Sequence, residues 1–282
     1  MADAASPGPA RGAGPAAGPG TTTEPGIEGR ALARLYDVDL VDDPGDLDVY
    51  LAMARRTGGP ILELGAGTGR IAVPLAAAGY RITAVDLDPA MLERAAAAAA
   101  AAGPAIEARI DLVEADLLDL RLPDAGTYAL AFIALNTIFL LATRERQRHA
   151  FRTIAAHLAP SGVAVVDIWL PDTDDLARFD GRLIFEYERR DPETGTTVTK
   201  VAAARHDPTS AVIELTSIFE EGRSGEPAVR WIRRDALRLI GADELRAMAE
   251  DAGLEVEVIG GDYDLEPIRP GSDRAILVAA RP

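Results

Sequence analysis

Glu63 stands inside a short apolar run, Ile61-Leu62-Glu63-Leu64, and three alternate glycines, Gly65, Gly67 and Gly69, follow before a helical pattern opens with Arg70 and Ile71. Glycine has a physical use in such a turn. No side chain blocks a ligand from the backbone, and the bend out of the strand can take a positive φ. A second apolar run, Ile82-Thr83-Ala84-Val85, ends in Asp86. That acid falls about 20 residues beyond the turn, where a carboxylate can accept hydrogen bonds from both hydroxyls of a ribose. Turn and acid together describe a pocket for an adenosine-containing cofactor.

Dinucleotide-binding proteins also pair a glycine turn with a distant acid, but their turn reads G-x-G-x-x-G, whereas these glycines fall at 65, 67 and 69. A carboxylate at Glu63 would repel a pyrophosphate and suits a cation or an amine. S-adenosylmethionine carries both a sulfonium and an ammonium. The run Glu63-Leu64-Gly65-Ala66-Gly67-Thr68-Gly69 resembles motif I, E/D-x-G-x-G-x-G, of the class I S-adenosylmethionine-dependent methyltransferases.

Three further segments carry the resemblance. Ala84-Val85-Asp86-Leu87-Asp88-Pro89-Ala90-Met91 is similar to the family's second motif, with the ribose acid and a methionine beside the adenine. Asp116, in Glu114-Ala115-Asp116-Leu117, matches the acid after strand three. The stretch 128–137, which contains Asn136, takes the place of strand four, and Tyr36 resembles an upstream tyrosine laid over the cofactor. The resemblance implies a cofactor-binding set of Tyr36, Glu63, Gly65, Ala66, Gly67, Gly69, Arg70, Asp86, Leu87, Met91, Ala115, Asp116, Leu117 and Asn136. It implies S-adenosylmethionine as cofactor and transfer of a methyl group, by in-line displacement, to N or O of a small-molecule acceptor. Each acid taken alone could instead cap the helix that follows it; their fixed order with the glycine turn favours the cofactor. Two other readings stay open on the residues: an NAD(P)-dependent oxidoreductase, and a protein that binds S-adenosylmethionine without turning it over.

These landmarks need a scaffold. Strands at 61–64, 81–85, 110–114, 128–134 and 163–169 alternate with helices near 70–78, 89–102 and 143–158, a pattern that specifies a parallel sheet with helices on both faces. Ligands of such sheets bind at the carboxyl ends of the strands, where Glu63, Asp86, Asp116 and Asn136 all fall. After Pro171 four β-rich segments separated by turn signals suggest an antiparallel meander, then a helix at 242–252 ended by Gly253 and two last strands. The expected architecture is a Rossmann-like, doubly wound, seven-stranded α/β sheet, mostly parallel with its last strand antiparallel. An antiparallel β insertion over 172–239 lies between strand five and the last helix, where it would cap the acceptor. The domain is expected over 29–282, behind a disordered Ala/Gly/Pro-rich tail over 1–28.

Composition narrows the class. The chain has 282 residues, 48% of them hydrophobic, enough to bury a large core, and its lack of cysteine excludes disulfides, thiolate metal sites and a thiol nucleophile. No metal site is expected. Net charge is −16, from 29 basic against 45 acidic residues, which opposes approach to phosphates and argues against nucleic-acid substrates. The N-terminus has no basic region followed by an apolar stretch, and the longest apolar run is shorter than a membrane span. A cytoplasmic protein without membrane contact is expected, a monomer or a homodimer paired through an exposed meander edge.

No general base is evident in the sequence. His149 and His157 fall on the helix after strand four, and His206 precedes a turn of the meander. Tyr50 reads as core, and Asp167 as a hydrogen-bond acceptor behind the residues that touch the ligand or as a capping acid. Trp169, Phe185, Tyr187 and Trp231 could line an acceptor pocket, although aromatic residues in strands more often serve the core.

Overall fold

A computed structural model describes residues 26–41 and 44–282. The expected tail falls mostly outside the described residues; its last two positions, Ile27 and Glu28, already belong to helix α1 (Ile27–Asp39). Helix α2 (Leu47–Thr57) leads into β1 (Ile61–Leu64), then α3 (Ala72–Ala77), β2 (Ile82–Asp86), α4 (Pro89–Ala102), the single turn α5 (Pro104–Glu107) and β3 (Ile110–Glu114). Strand β4 (Tyr128–Ile133) is followed by a 3-10 turn (Thr137–Leu141), α6 (Arg144–His157), β5 (Leu158–Trp169) and α7 (Thr173–Arg178). Then come β6 (Asp180–Arg190), β7 (Thr197–Asp207), β8 (Val212–Gly222), β9 (Val229–Arg238), α8 (Ala242–Asp251), β10 (Glu255–Gly260) and β11 (Arg274–Ala280).

Seven strands form one sheet in the order β10-β11-β5-β4-β1-β2-β3, and only β11 runs against its neighbours. The central strands are buried on both faces, which is why β1, β2, β4 and β5 read as near-continuous apolar runs. Helix α4 shows how local sequence fixes an element. Asp88 caps it by accepting from the Ala90 amide at 2.9 Å, Pro89 occupies the first turn where no donor is needed, and Gly103 ends it at φ 113°. The helix expected from residue 70 begins at Ala72, because Gly69 to Ile71 complete the turn instead.

The insertion is a four-stranded antiparallel sheet, β6-β7-β8-β9, preceded by α7. Helix α1 is clamped between this sheet and the main domain. Leu35 and Val38 bury against Val198 and Phe219 of the sheet, while Ala33 meets Ala90 and Met91 of α4. Full burial of such aliphatic side chains contributes about 1.5–3 kcal/mol each. Polar contacts fix the clamp in register: Lys200 Nζ holds Asp39 at 2.7 Å, Arg189 donates to the carbonyls of Val38 and Asp39, and Arg94 Nε holds Asp37 at 2.6 Å. Arg34 bonds both Asp191 and Glu221 across the α1–sheet boundary. Asp191 is 1% exposed, so Arg34→Met leaves a buried carboxylate without its counter-ion. A loss of about 3 kcal/mol in urea unfolding is the expected result. Wild-type stability in that variant would show that the clamp rests on apolar packing alone.

Candidate functional site

The glycine turn is held against the neighbouring strand by two amides, those of Gly65 and Ala66, which both donate to the Val85 carbonyl at 2.8 and 2.9 Å. Gly65, Gly67 and Gly69 all take positive φ, at 78°, 56° and 83°, as the sequence required. Asp86 accepts from Gly67 N at 2.7 Å and from Asp88 N at 2.9 Å, one bond on each carboxylate oxygen. Those bonds fix its plane and leave the remaining lone pairs for a ligand.

A hollow of about 410 Å³ opens at these strand ends. Tyr36, Gly65, Gly67, Asp86 and Leu87 line it, with Met91, Ala115, Asp116 and Leu117 on the far wall. A narrow recess continues inward from Tyr36 and Gly65 and adds Glu63, Ala66 and Arg70. Twelve of the fourteen expected residues therefore converge on one cavity system.

Two do not. Gly69 lines neither space; a Cβ there would lie 3.2 Å from Ala95 Cβ and 3.3 Å from Val73 Cγ2, so this glycine lets α3 and α4 approach each other. Asn136 sits at φ 66° and its Oδ1 accepts from the Trp169 amide, which ties the end of β4 to β5. The adjacent Thr137 lines the hollow instead. A larger cleft, about 870 Å³, lies on the other side of Tyr36 between α1, α3 and α4, but neither Asp86 nor Asp116 reaches it.

Glu63 is the electrostatic centre of the recess. It is 2% exposed, its Oε2 has no hydrogen-bond partner, and burial pushes its carboxyl up to about 8, against the pull of the nearby Arg70 and a backbone bond from Ala72. An unpartnered buried carboxylate oxygen costs free energy unless a donor or a cation meets it. Arg70 is itself held by a fork onto the fully buried Asp46, at 2.5 and 2.7 Å. Burial also raises the Tyr36 phenol.

Several wall residues escaped the sequence reading: Gly29 and Leu32 of α1, Leu140 and Leu141 of the 3-10 turn, Arg146 of α6 and Arg233 of β9. The signal for the first two is the spacing 29, 32, 36 along one helix face. None exists for the arginines, which arrive from elements distant in sequence. Arg146 stands 3.6 Å from Asp116, and Arg233 Nε bonds Asp235 at 2.8 Å. No histidine lines the hollow or the recess: His149 is exposed, buried His157 bonds the Thr153 carbonyl at 2.8 Å, and His206 lies within β7. Nor do the four aromatic residues form one wall. Phe185 is exposed, Tyr187 and Trp231 pack against the α1 cluster, and Trp169 meets Phe179. Asp167 is buried and accepts from the Tyr263 hydroxyl at 3.0 Å, away from the hollow.

An acid-flanked glycine turn at the rim of a parallel sheet whose next-to-edge strand is reversed defines a nucleoside-binding protein of the methyl-transferring type, and the observed residues fit S-adenosylmethionine: a cradle open to backbone contact, a carboxylate anchored at the end of β2 and an orphaned carboxylate oxygen. Residues 61–162 match the family model described as a methyltransferase domain. The cypemycin N-terminal methyltransferase of a Streptomyces species is 31% identical over 229 residues, which cover 79% of this chain and 84% of that protein. The chain belongs to the class I S-adenosylmethionine-dependent methyltransferases. Among solved structures, the CcbJ methyltransferase of Streptomyces caelestis shares the fold with a TM-score of 0.71 at 24% identity, over 86% of this chain and 98% of that one. The sugar N-methyltransferase KedS8 of a Streptoalloteichus species does so with a TM-score of 0.68 at 21% identity, over 96% and 98%. The enzyme uses S-adenosylmethionine, which removes the oxidoreductase and silent-binder readings. Among the described residues no helix is long and apolar enough to cross a membrane.

Proposed function

We propose that this enzyme methylates an amino nitrogen of a small-molecule or peptide acceptor, with the cofactor held by Glu63, Gly65, Gly67, Asp86, Met91 and Asp116 and covered by Tyr36. The carrying observation is the set of titratable groups in the hollow. Asp86 is engaged by two amides, Asp116 faces Arg146 and accepts from Leu118 N at 2.9 Å, and no histidine or lysine stands among the lining residues. An aliphatic hydroxyl needs a base within hydrogen-bond reach, whereas a neutral amine brings its own lone pair.

When bound, S-adenosylmethionine supplies an electrophilic methyl whose bond to sulfur breaks as the bond to nitrogen forms, leaving S-adenosylhomocysteine. The protein's contribution is placement and exclusion of water. Helix α1 lays Leu32 and Tyr36 over the turn, the 3-10 turn brings Leu140 and Leu141, and β9 closes the remaining side with Arg233. Two relatives named above are N-methyltransferases, one acting on an N-terminus and one on a sugar, which supports nitrogen over oxygen. The surplus proton of the methylated amine passes to water.

The test is transfer from methyl-labelled S-adenosylmethionine to paired acceptors that differ only in amine against hydroxyl. Label in the amines, with acceptor kcat/KM rising with pH until the ammonium is titrated, is the expected outcome. Label in the hydroxyl compounds alone overturns the nitrogen assignment while leaving the cofactor site intact.

A further inference from the structure

Asp46 heads helix α2 at the position where an acid commonly caps, yet its side chain accepts no hydrogen bond from that helix. Both of its oxygens engage Arg70 instead, at 2.5 and 2.7 Å, and the carboxylate is fully buried. Stability alone does not account for the pair, since apolar side chains of similar volume fill such a site as well as two buried charges do. Arg70 stands at the end of the glycine turn and borders two spaces: the recess it shares with Glu63 and Tyr36, and the wide cleft on the far side of Tyr36. A long side chain keeps several rotamers open unless a partner fixes it.

We propose that Asp46 is a positioning residue, holding the Arg70 guanidinium at the recess so that it receives the carboxylate of S-adenosylmethionine while Glu63 faces the ammonium.

The amino-acid end of the cofactor requires such a neighbour. Its ammonium and carboxylate sit on one carbon, so a site that meets the first with Glu63 must offer a cation close by for the second. Among the described residues Arg70 is the only cation lining the recess. The recess is small, about 20 Å³, so no more than the end of a ligand enters it. Asp46 occupies the Nη1 and Nη2 edge of the guanidinium, which leaves the Nε edge for an anion, in the parallel geometry that arginine offers a carboxylate. Once Asp46 is neutral, the guanidinium loses its tether and is free to turn into the cleft. The inference rests on the cofactor placement proposed above and adds to it the two residues that hold the carboxylate.

Calorimetric titration of the purified full chain with S-adenosylmethionine and with its decarboxylated analogue, which keeps the sulfonium and the amine, isolates the carboxylate. Asp46→Asn should cut the preference for S-adenosylmethionine over the analogue about tenfold, as partial loss of a charge-assisted hydrogen bond implies. Asp46 also raises the Glu63 carboxyl, but relief of that effect reaches both ligands alike and cancels in the ratio. A merely structural acid would weaken both ligands equally, so an unchanged ratio overturns the proposal. If Asp46→Asn fails to fold, the double variant Asp46→Leu, Arg70→Met removes both charges together and is expected to fold. Its preference should fall about a hundredfold, and a wild-type preference there overturns the proposal as well. Gly65→Ala, which should weaken both ligands together, separates the two readings. If it weakens neither, the cofactor lies elsewhere and this inference falls with that placement; if it weakens both while Asp46→Asn leaves the ratio unchanged, the role of Asp46 alone is rejected.

Discussion

Gly65→Ala is expected to weaken S-adenosylmethionine binding about a hundredfold, which corresponds to roughly 2.7 kcal/mol. Two effects act at this position. At φ 78° the left-handed backbone penalises any Cβ, by about 1–2 kcal/mol. The added methyl would also lie 2.4 Å from Thr137 Cγ2, closer than packed carbons tolerate, so either the turn or the 3-10 segment must shift. Both line the hollow, and the displacement therefore falls on the ligand. Thr137→Ser separates the two effects, because it removes the opposing methyl and leaves the hydroxyl. The double variant should recover most of the affinity in a calorimetric titration, yet remain destabilised in urea by the backbone penalty alone. Wild-type affinity in Gly65→Ala would show that the cofactor does not rest on this turn.

That prediction depends on a contact the sequence does not display, and the division between what is legible and what is not runs along sequence distance. The turn, Asp86 and Asp116 are readable because each belongs to a local strand-to-helix junction whose chemistry lies within a few residues. The parallel α/β class is readable for the same reason, since continuous apolar runs alternating with helical ones specify a parallel sheet with helices on both faces. Helix α1 escapes notice because it follows directly on a stretch rich in proline and glycine. Its apolar positions also divide between two partners, Leu35 and Val38 toward the cap and Ala33 toward α4, so that no single stripe stands out. Asn136 looks like a ligand by its place after β4, but the partner that claims it is the Trp169 amide, 33 residues later. Arg233 and Arg146 are ordinary surface charges in sequence, and only the fold turns them toward the hollow.

Glu63 supplies the other large effect, and its sign follows from burial. In the unfolded chain its carboxyl titrates near 4.5, and in the cofactor-free protein it is raised to about 8. The folded protein thus holds a proton that the unfolded chain has lost across that interval. This contribution to stability is complete below the unfolded value and declines as pH rises to about 8, by at most about 1.4 kcal/mol per unit. Binding of a cationic ligand runs the other way. The positive charge favours the ionised carboxylate, so affinity rises with pH, by at most tenfold per unit, until Glu63 is already ionised in the free protein, and a proton is released on binding at neutral pH. The amine of S-adenosylmethionine titrates close to the same range, near 7.7–8.0 for an α-amino group, so the wild-type profile alone is ambiguous. Glu63→Gln resolves it: the variant keeps the ligand's own titration, loses the proton release seen when calorimetric enthalpies are compared across buffers, and binds about a hundredfold more weakly above pH 8, as loss of a charged hydrogen bond of up to 3 kcal/mol implies. It should also lose the decline in cofactor-free stability between the two carboxyl values. A Glu63→Gln enzyme that matches the wild type at high pH and still releases a proton would place the titrating group elsewhere, and the recess behind Gly65 would not be the seat of the cation.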